Sequence, residues 1–204
     1  MTATTAANYL LYIMGEAFDD LTNKKLNKLL YFAQGHYLKK YGRPLFNNVI
    51  EAWEHGPVVP EVYSTYKEYG DKPIKRYDSN MIAEITPETE GLLFNVARQY
   101  GRYTVSKLQN MACVAGSPWD QVCQGEHSHT KIPLTAEGLK PIRLRYSALL
   151  RSNVPLPQAW SERVKYPHSG NAQLSRKASL DINAATPFGV KSCFKFSFLA
   201  LASI

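Results

Sequence analysis

The side chains best suited to metal chemistry lie between residues 113 and 129. Cys113, Cys123, His127 and His129 all carry atoms that can ligate a transition metal. The spacing Cys-x3-His-x-His of the last three does not match the usual zinc pattern, in which ligands pair around a tight knuckle. The sequence therefore favours a polar loop, with Cys113 buried as a small apolar residue, and predicts no metal and no cofactor.

A second candidate for chemistry is His55, which stands before a Gly-Pro corner. The stretch His55-Gly56-Pro57-Val58 has three open interpretations: a structural corner that seats valines in the core, a corner that binds a partner, and a catalytic histidine. The structural corner is favoured, because no nucleophile or metal ligand is visible beside His55. Gly56 can adopt a positive φ and Pro57 fixes the next one. No serine-histidine-aspartate arrangement, phosphate-cradling glycine loop or paired carboxylates occur, so we expect no catalytic residue and no enzyme activity.

Three tyrosines follow this corner at three-residue spacing. Pro60 suits the first turn of a helix, and Tyr63, Tyr66 and Tyr69 would form a stripe along it. One interpretation is core packing with the hydroxyls reaching a partner or solvent. The other is an exposed protein interface, where tyrosine buries a large area at low entropy cost.

These residues must be positioned by one helix that the sequence predicts over about 22–41. Its apolar side chains recur at helical spacing and cover most of its circumference, which is typical of a helix covered on several sides. Thr22 or Asn23 can cap its start, and Gly42 stands where a left-handed residue ends a helix. The residues expected to form the structural framework are Leu26, Leu29, Leu30, Tyr31, Phe32, Trp53, Gly56, Pro57 and Trp119.

The predicted fold class is mainly α, a compact helical domain around this central buried helix. Short extended segments are expected near 45–54 and 80–86, where proline, asparagine and glycine interrupt the helical pattern. Thr86-Pro87-Glu88 is a strong helix start, and Ser117-Pro118-Trp119 begins a short helix with Trp119 as a buried anchor.

Three of these stretches together resemble the Panacea domain family, which includes phage- and prophage-associated proteins and SocA-like antitoxins. They read KLNKLLYFAQGHYLKKYGRPLF, EAWEHGPVVPEVY and SPWDQV, and the resemblance covers roughly residues 5–132. The chain departs from the family where a Thr-His pair is usual, because Ala112 and Cys113 stand there instead.

The resemblance implies an interaction module that neutralises a cognate protein toxin by direct binding. The candidate contacts are His36, His55, Tyr63 and Tyr66. A variant implied by the same resemblance is a proteolytic adaptor that delivers the toxin to the ClpXP protease. An adjacent small open reading frame whose expression is toxic without this chain would favour both forms.

The alternative function is a phage or mobile-element protein that binds nucleic acid. The chain carries a net charge of +7, and such a protein would use lysines for phosphate contacts. The lysines in question are Lys24, Lys25, Lys28, Lys39 and Lys40. The charge distribution weakens this alternative, since residues 151–204 carry seven Lys+Arg against two Asp+Glu and so account for +5 of the +7.

The organisation expected from the sequence is a helical domain over 1–150 and a basic tail over 151–204. The tail has prolines, many serines and no helical period, which is typical of a disordered segment. It is either a toxin-recognition segment that folds on binding or a translation outside the native reading frame. No run is long enough to span a membrane and no leader precedes the first helix, so a cytoplasmic location is expected.

Overall fold

A computed structural model of the chain describes residues 1–15, 18–83, 85–123 and 129–133. Helices dominate this part of the chain, as the sequence predicts. The helices are α1 Ala3–Met14, α2 Asn23–Tyr41, α3 Pro60–Thr65, α4 Ser79–Ile82, α5 Pro87–Tyr100, α6 Val105–Ala112 and α7 Pro118–Val122, with a 3-10 turn at Lys67–Tyr69. The strands are β1 Glu51–Trp53, β2 Gly56–Val58 and β3 Thr130–Lys131.

The central helix α2 is buried as predicted. Every residue from Leu26 to Leu38 is buried, and α1, α3, α5, α6 and β2 pack around it. The Thr22 side chain caps its start by accepting from the Lys25 N–H, and Gly42 ends it at a φ of 68°. Both ends were visible in the sequence because each depends on local residue chemistry.

A small antiparallel sheet follows α2, in the order β2-β1-β3. Trp53 pairs with Gly56, so the hairpin between β1 and β2 turns on Glu54 and His55. Val58 and Val59 are buried, as the corner interpretation of this stretch predicts. The extended segment near 45–54 is thus confirmed by β1.

The extended segment predicted near 80–86 is wrong, because it begins inside helix α4. Asp78 caps this helix through a 2.9 Å hydrogen bond from the Asn80 N–H, and the Asp78 N–H donates to Asn8 Oδ1 of α1 at 2.7 Å. The cap at Asp78 is a local signal that the sequence analysis missed, and the contact with α1 adds a second, non-local one. Similarly, α3 ends at Thr65, so the three tyrosines do not share one helix.

Two of the lysines considered for phosphate contacts lie inside the fold. Lys25 is fully buried, and its Nζ pairs with Asp20 at 2.7 Å. Lys28 is 2% exposed and donates to the Pro57 carbonyl at 3.1 Å. Neither can reach a nucleic acid in this fold, so that part of the alternative is wrong.

Buried polar side chains of α2 hold the main chain of the segment that follows it. Gln34 Oε1 accepts from the N–H groups of Leu45 and Phe46 at 2.9 and 3.1 Å, and Gln34 Nε2 donates to the Phe46 carbonyl at 2.9 Å. Asn27 Oδ1 accepts from the Val59 N–H at 2.8 Å. Because buried main-chain groups need partners, these contacts fix the hairpin and its flanks on α2.

The predicted boundary at residue 150 and the tail over 151–204 lie outside the described residues. Within the described ranges, no helix has both the length and the apolar character that crossing a bilayer requires.

Replacing Gln34 with alanine should lower the free energy of unfolding by about 3 kcal/mol or more. Three buried main-chain groups lose their partner, and each unsatisfied group costs about 1–3 kcal/mol. Denaturant unfolding of the variant and the wild type measures this difference in free energy. The matched control is Gln109→Ala on the half-exposed part of α6, which should change stability by less than about 0.5 kcal/mol. Similar losses for the two variants would show that Gln34 does not hold the segment.

Stability should rise between about pH 8 and pH 9 because of Lys28. Burial lowers the pKa of Lys28 to about 8 from 10.5 in the unfolded chain. In this window the unfolded chain binds a proton that the folded chain lacks, so raising the pH favours folding by at most about 1.4 kcal/mol per unit. Above about pH 9 burial acts in the opposite sense, because it raises the pKa of the Cys113 thiol from 9.0 to about 12 and also raises the pKa of Tyr31 and Tyr100.

The Lys28→Met variant should lose this rise when unfolding free energies are compared at pH 8 and pH 9. Lys107→Met, at an exposed lysine on α6, should keep it. A rise of equal size in Lys28→Met would mean that another group carries the pH dependence.

Candidate partner-binding surface

The hairpin carries a compact group of aromatic side chains, here called the hairpin aromatic surface, formed by Trp53, Tyr63, Trp119 and His129. Trp53 ends β1, Tyr63 lies on α3, and Trp119 lies in the first turn of α7. The pairing of β3 with β1, at Ala52 opposite Thr130, brings His129 to the same place. Four separate parts of the chain thus meet around one tryptophan.

Trp53 is the centre of this surface. Its ring stacks on His129 with centroids 4.4 Å apart and an interplanar angle of 9°, and it meets Tyr63 edge-on at 4.9 Å. Its Nε1 donates to Glu51 Oε2 at 2.8 Å, while the Trp119 Nε1 donates to the Trp53 carbonyl at 3.0 Å. Hydrogen bonds and ring contacts therefore fix the orientation of Trp53 before any partner arrives.

The surface is open to solvent on one side. Trp53, Tyr63 and Trp119 are half-buried, and His129 is exposed. The prediction of Trp119 as a buried anchor is corrected to a half-buried one, because part of its ring faces outward. Rigid aromatic rings with an open face are the side chains that contribute most to protein interfaces.

Lys28 and Cys113 lie beneath the hairpin, and Cys113, which the sequence predicts to be buried, is half-buried. A Cβ at Gly56 would come within 3.2 Å of both Lys28 Nζ and Cys113 Sγ, and the φ of Gly56 is 94°. Burial raises the pKa of the Cys113 thiol to about 12, so the thiol stays neutral and unreactive near neutral pH. These two side chains support the hairpin from below and offer little chemistry of their own.

The four predicted contact residues lie in different environments. His55 is exposed at the hairpin tip and Tyr63 is part of the hairpin aromatic surface. Tyr66 is 7% exposed, and burial raises its pKa. His36 is 1% exposed, and its Nε2 lies 2.9 Å from the Tyr100 hydroxyl. Burial lowers the pKa of His36 to about 4, so it is a neutral core residue at physiological pH. Neither Tyr66 nor His36 can touch a partner directly in this fold.

The cysteines and histidines considered for metal binding do not gather in the described ranges. No three side chains of the His, Cys, Asp or Glu type converge there into a metal site. His129 stacks on Trp53, Cys113 lies under the hairpin, and Cys123 ends α7. His127 lies outside the described residues, so the absence of a metal stays a prediction.

Sequence reasoning missed how these aromatic residues combine. It assigned Trp53 and Trp119 to the framework, Tyr63 to partner contact and His129 to a polar loop. Only the pairing of β3 with β1 joins them, and two exposed residues, Thr130 and Lys131, form that strand. A strand so short has no recognisable alternation, so no local signal could have revealed the surface.

Two comparisons with known proteins point to one family. The family model described as antitoxin SocA-like, Panacea domain, matches residues 26–120, which include most of α2, the hairpin and α3 to α7 without the last residues of α7. Antitoxin SocA of Caulobacter vibrioides (strain NA1000 / CB15N) is 34% identical over 133 residues, covering 60% of this chain and 71% of that protein. No solved structure gives a significant match.

The motifs that suggested this resemblance lie in the region matched by the family model except for their outermost residues, Lys25 at the start and Gln121 and Val122 at the end. The identity to the Caulobacter protein extends over more than two thirds of that relative. The chain therefore belongs to the antitoxin SocA-like, Panacea domain family.

Proposed function

We propose that this chain is an antitoxin that binds a protein toxin through the hairpin aromatic surface. The observation that carries the proposal is the fixed, half-open arrangement of Trp53, Tyr63 and His129. Family membership and the identity to an antitoxin support the kind of partner. Binding rather than catalysis is the proposed mode of action.

The physical mechanism is burial of the aromatic rings against the toxin. Rings held in place before binding lose little conformational freedom, so more of the contact energy appears as affinity. The tip residues Glu54 and His55 follow Trp53 in the hairpin and are exposed, so they would contribute to the choice of partner. His36 and Tyr66 act indirectly, by packing the core beneath.

Two modes of neutralisation fit this binding step. In the first, the domain covers the toxin's active surface and the toxin stays in a stable complex. In the second, which the family resemblance implies, the domain is an adaptor that delivers the toxin to ClpXP. Both need the same docking surface and differ in the fate of the toxin.

Alanine at Trp53 should weaken toxin binding by a factor of about 30 or more, since truncating a central aromatic contact typically costs about 2 kcal/mol or more. The toxin to use is the product of a neighbouring open reading frame whose expression arrests growth unless this chain is present. Affinity is measured by calorimetry, and growth rescue in parallel. His55→Ala and His129→Ala, at exposed positions that perturb the fold less, should each weaken binding by a smaller factor.

The matched control is Tyr77→Ala, because Tyr77 is an aromatic residue 40% exposed that lies outside the hairpin aromatic surface. It should bind like the wild type. Thermal unfolding of each variant separates loss of binding from loss of folding. Unchanged affinity in folded Trp53→Ala, His55→Ala and His129→Ala variants would contradict the proposed surface.

The fate of the toxin distinguishes the two modes. After synthesis is stopped, the toxin half-life is followed with and without this chain, in cells with and without ClpXP. An adaptor should shorten the half-life only when both are present, whereas occlusion should lengthen it through a stable complex. Growth rescue with no effect on half-life and no isolable complex would contradict the proposal in both forms.

A further inference from the structure

A pocket of about 610 Å³ lies on the molecule away from the hairpin aromatic surface, where α1 and α5 begin beside the end of α2. This volume falls within the range of about 300–1,000 Å³ typical of small-molecule sites. The hydroxyls of Thr2, Thr5, Thr86 and Thr89 lie in its lining, together with the phenol of Tyr37 and the guanidinium of Arg43.

The side chains that line the pocket carry positive charge only. Among the lining residues in the described part of the chain, Arg43 is the only charged side chain, and no carboxylate lies with it. Arg43 forms no ion pair with a described residue. Its guanidinium lies 5.5 Å from the centroid of the Tyr37 ring, a cation–π contact that holds it beside the pocket.

Tyr37 forms part of the pocket wall. The residue is 5% exposed and lines the pocket, but its hydroxyl is not among the fully buried polar atoms that lack a hydrogen-bond partner. The hydroxyl therefore stays accessible and can donate to a ligand in the pocket.

The threonines supply further donors through a motif that occurs twice. Thr2 and Thr86 cap α1 and α5, and each accepts a main-chain N–H from the threonine three residues later. The hydroxyls within each pair also bond to each other, at 3.0 Å for Thr2 and Thr5 and 3.1 Å for Thr86 and Thr89. Since one hydroxyl hydrogen serves that bond, one hydroxyl hydrogen of each pair is left to donate elsewhere.

The rest of the lining is apolar. Leu45, Phe46 and Ile85 are buried core residues that reach the pocket. The site thus combines an arginine and several O–H donors with an apolar wall, which suits a ligand having an anionic group and an apolar body.

We propose that this pocket binds a small organic anion, whose phosphate or carboxylate is held by Arg43, Tyr37 and the paired threonines and whose apolar body lies against Leu45, Phe46 and Ile85. This site is separate from the hairpin aromatic surface and does not depend on the toxin proposal.

The test is titration of the full chain with phenyl phosphate, benzoate and benzyl alcohol at constant ionic strength, followed by amide NMR shifts and calorimetry. Phenyl phosphate or benzoate should bind saturably and shift the amide NMR signals of residues 2–5, 43–47 and 85–89. The order of their affinities shows which anionic group the site prefers. Benzyl alcohol, which lacks the charge, and inorganic phosphate, which lacks the ring, should bind at least about tenfold more weakly.

Arg43→Gln and Tyr37→Phe should each weaken binding of the preferred anion by about tenfold or more, because each removes a hydrogen bond to a charged group. Lys107→Gln, an exposed cation outside the pocket, is the matched control and should leave binding unchanged. Thermal unfolding confirms that the variants fold. Absence of saturable binding, equal binding of benzyl alcohol, or equal loss in Arg43→Gln and Lys107→Gln would overturn the proposal.

Discussion

The need to satisfy buried main-chain groups governs this fold. The segment after α2 has too little regular structure to pair its own N–H and C=O groups, so the side chains of α2 complete the pairing. Gln34 serves both groups of Phe46 as well as the N–H of Leu45, and Asn27 serves Val59. Leucine at positions 27 and 34 would make α2 more apolar. The main-chain groups that Asn27 and Gln34 now bond would then lack hydrogen-bond partners, and the hairpin would not be fixed on α2.

The same constraint explains why one lysine of α2 enters the interior. Lys28 reaches the Pro57 carbonyl, no carboxylate of a described residue is bonded to it, and burial lowers its pKa. Lys25 is instead paired with the carboxylate of Asp20, which remains partly exposed to solvent. Two lysines of the central helix, Lys25 and Lys28, therefore make contacts inside the fold. Its exposed cations are Lys24, Lys39 and Lys40.

A structural feature could be predicted from the sequence when neighbouring residues determine it. The burial of Leu29 and Phe32 follows from helical spacing, and the ends of α2 follow from a capping hydroxyl and a glycine. The buried state of Lys28 could not be predicted, because it depends on a contact with a distant segment. The hairpin aromatic surface was hidden for the same reason, since β3 joins residues more than seventy positions apart.

The two tip residues of the hairpin are not the residues that anchor the hairpin on α2. Gly56 and Pro57 are fixed against α2, whereas the side chains of Glu54 and His55 point outward. Substitutions at such exposed positions usually change stability by less than about 0.5 kcal/mol. The two tip residues can therefore be exchanged with little change in the stability of the fold. Under the proposed function, two codon changes at the tip would be enough to alter the choice of partner.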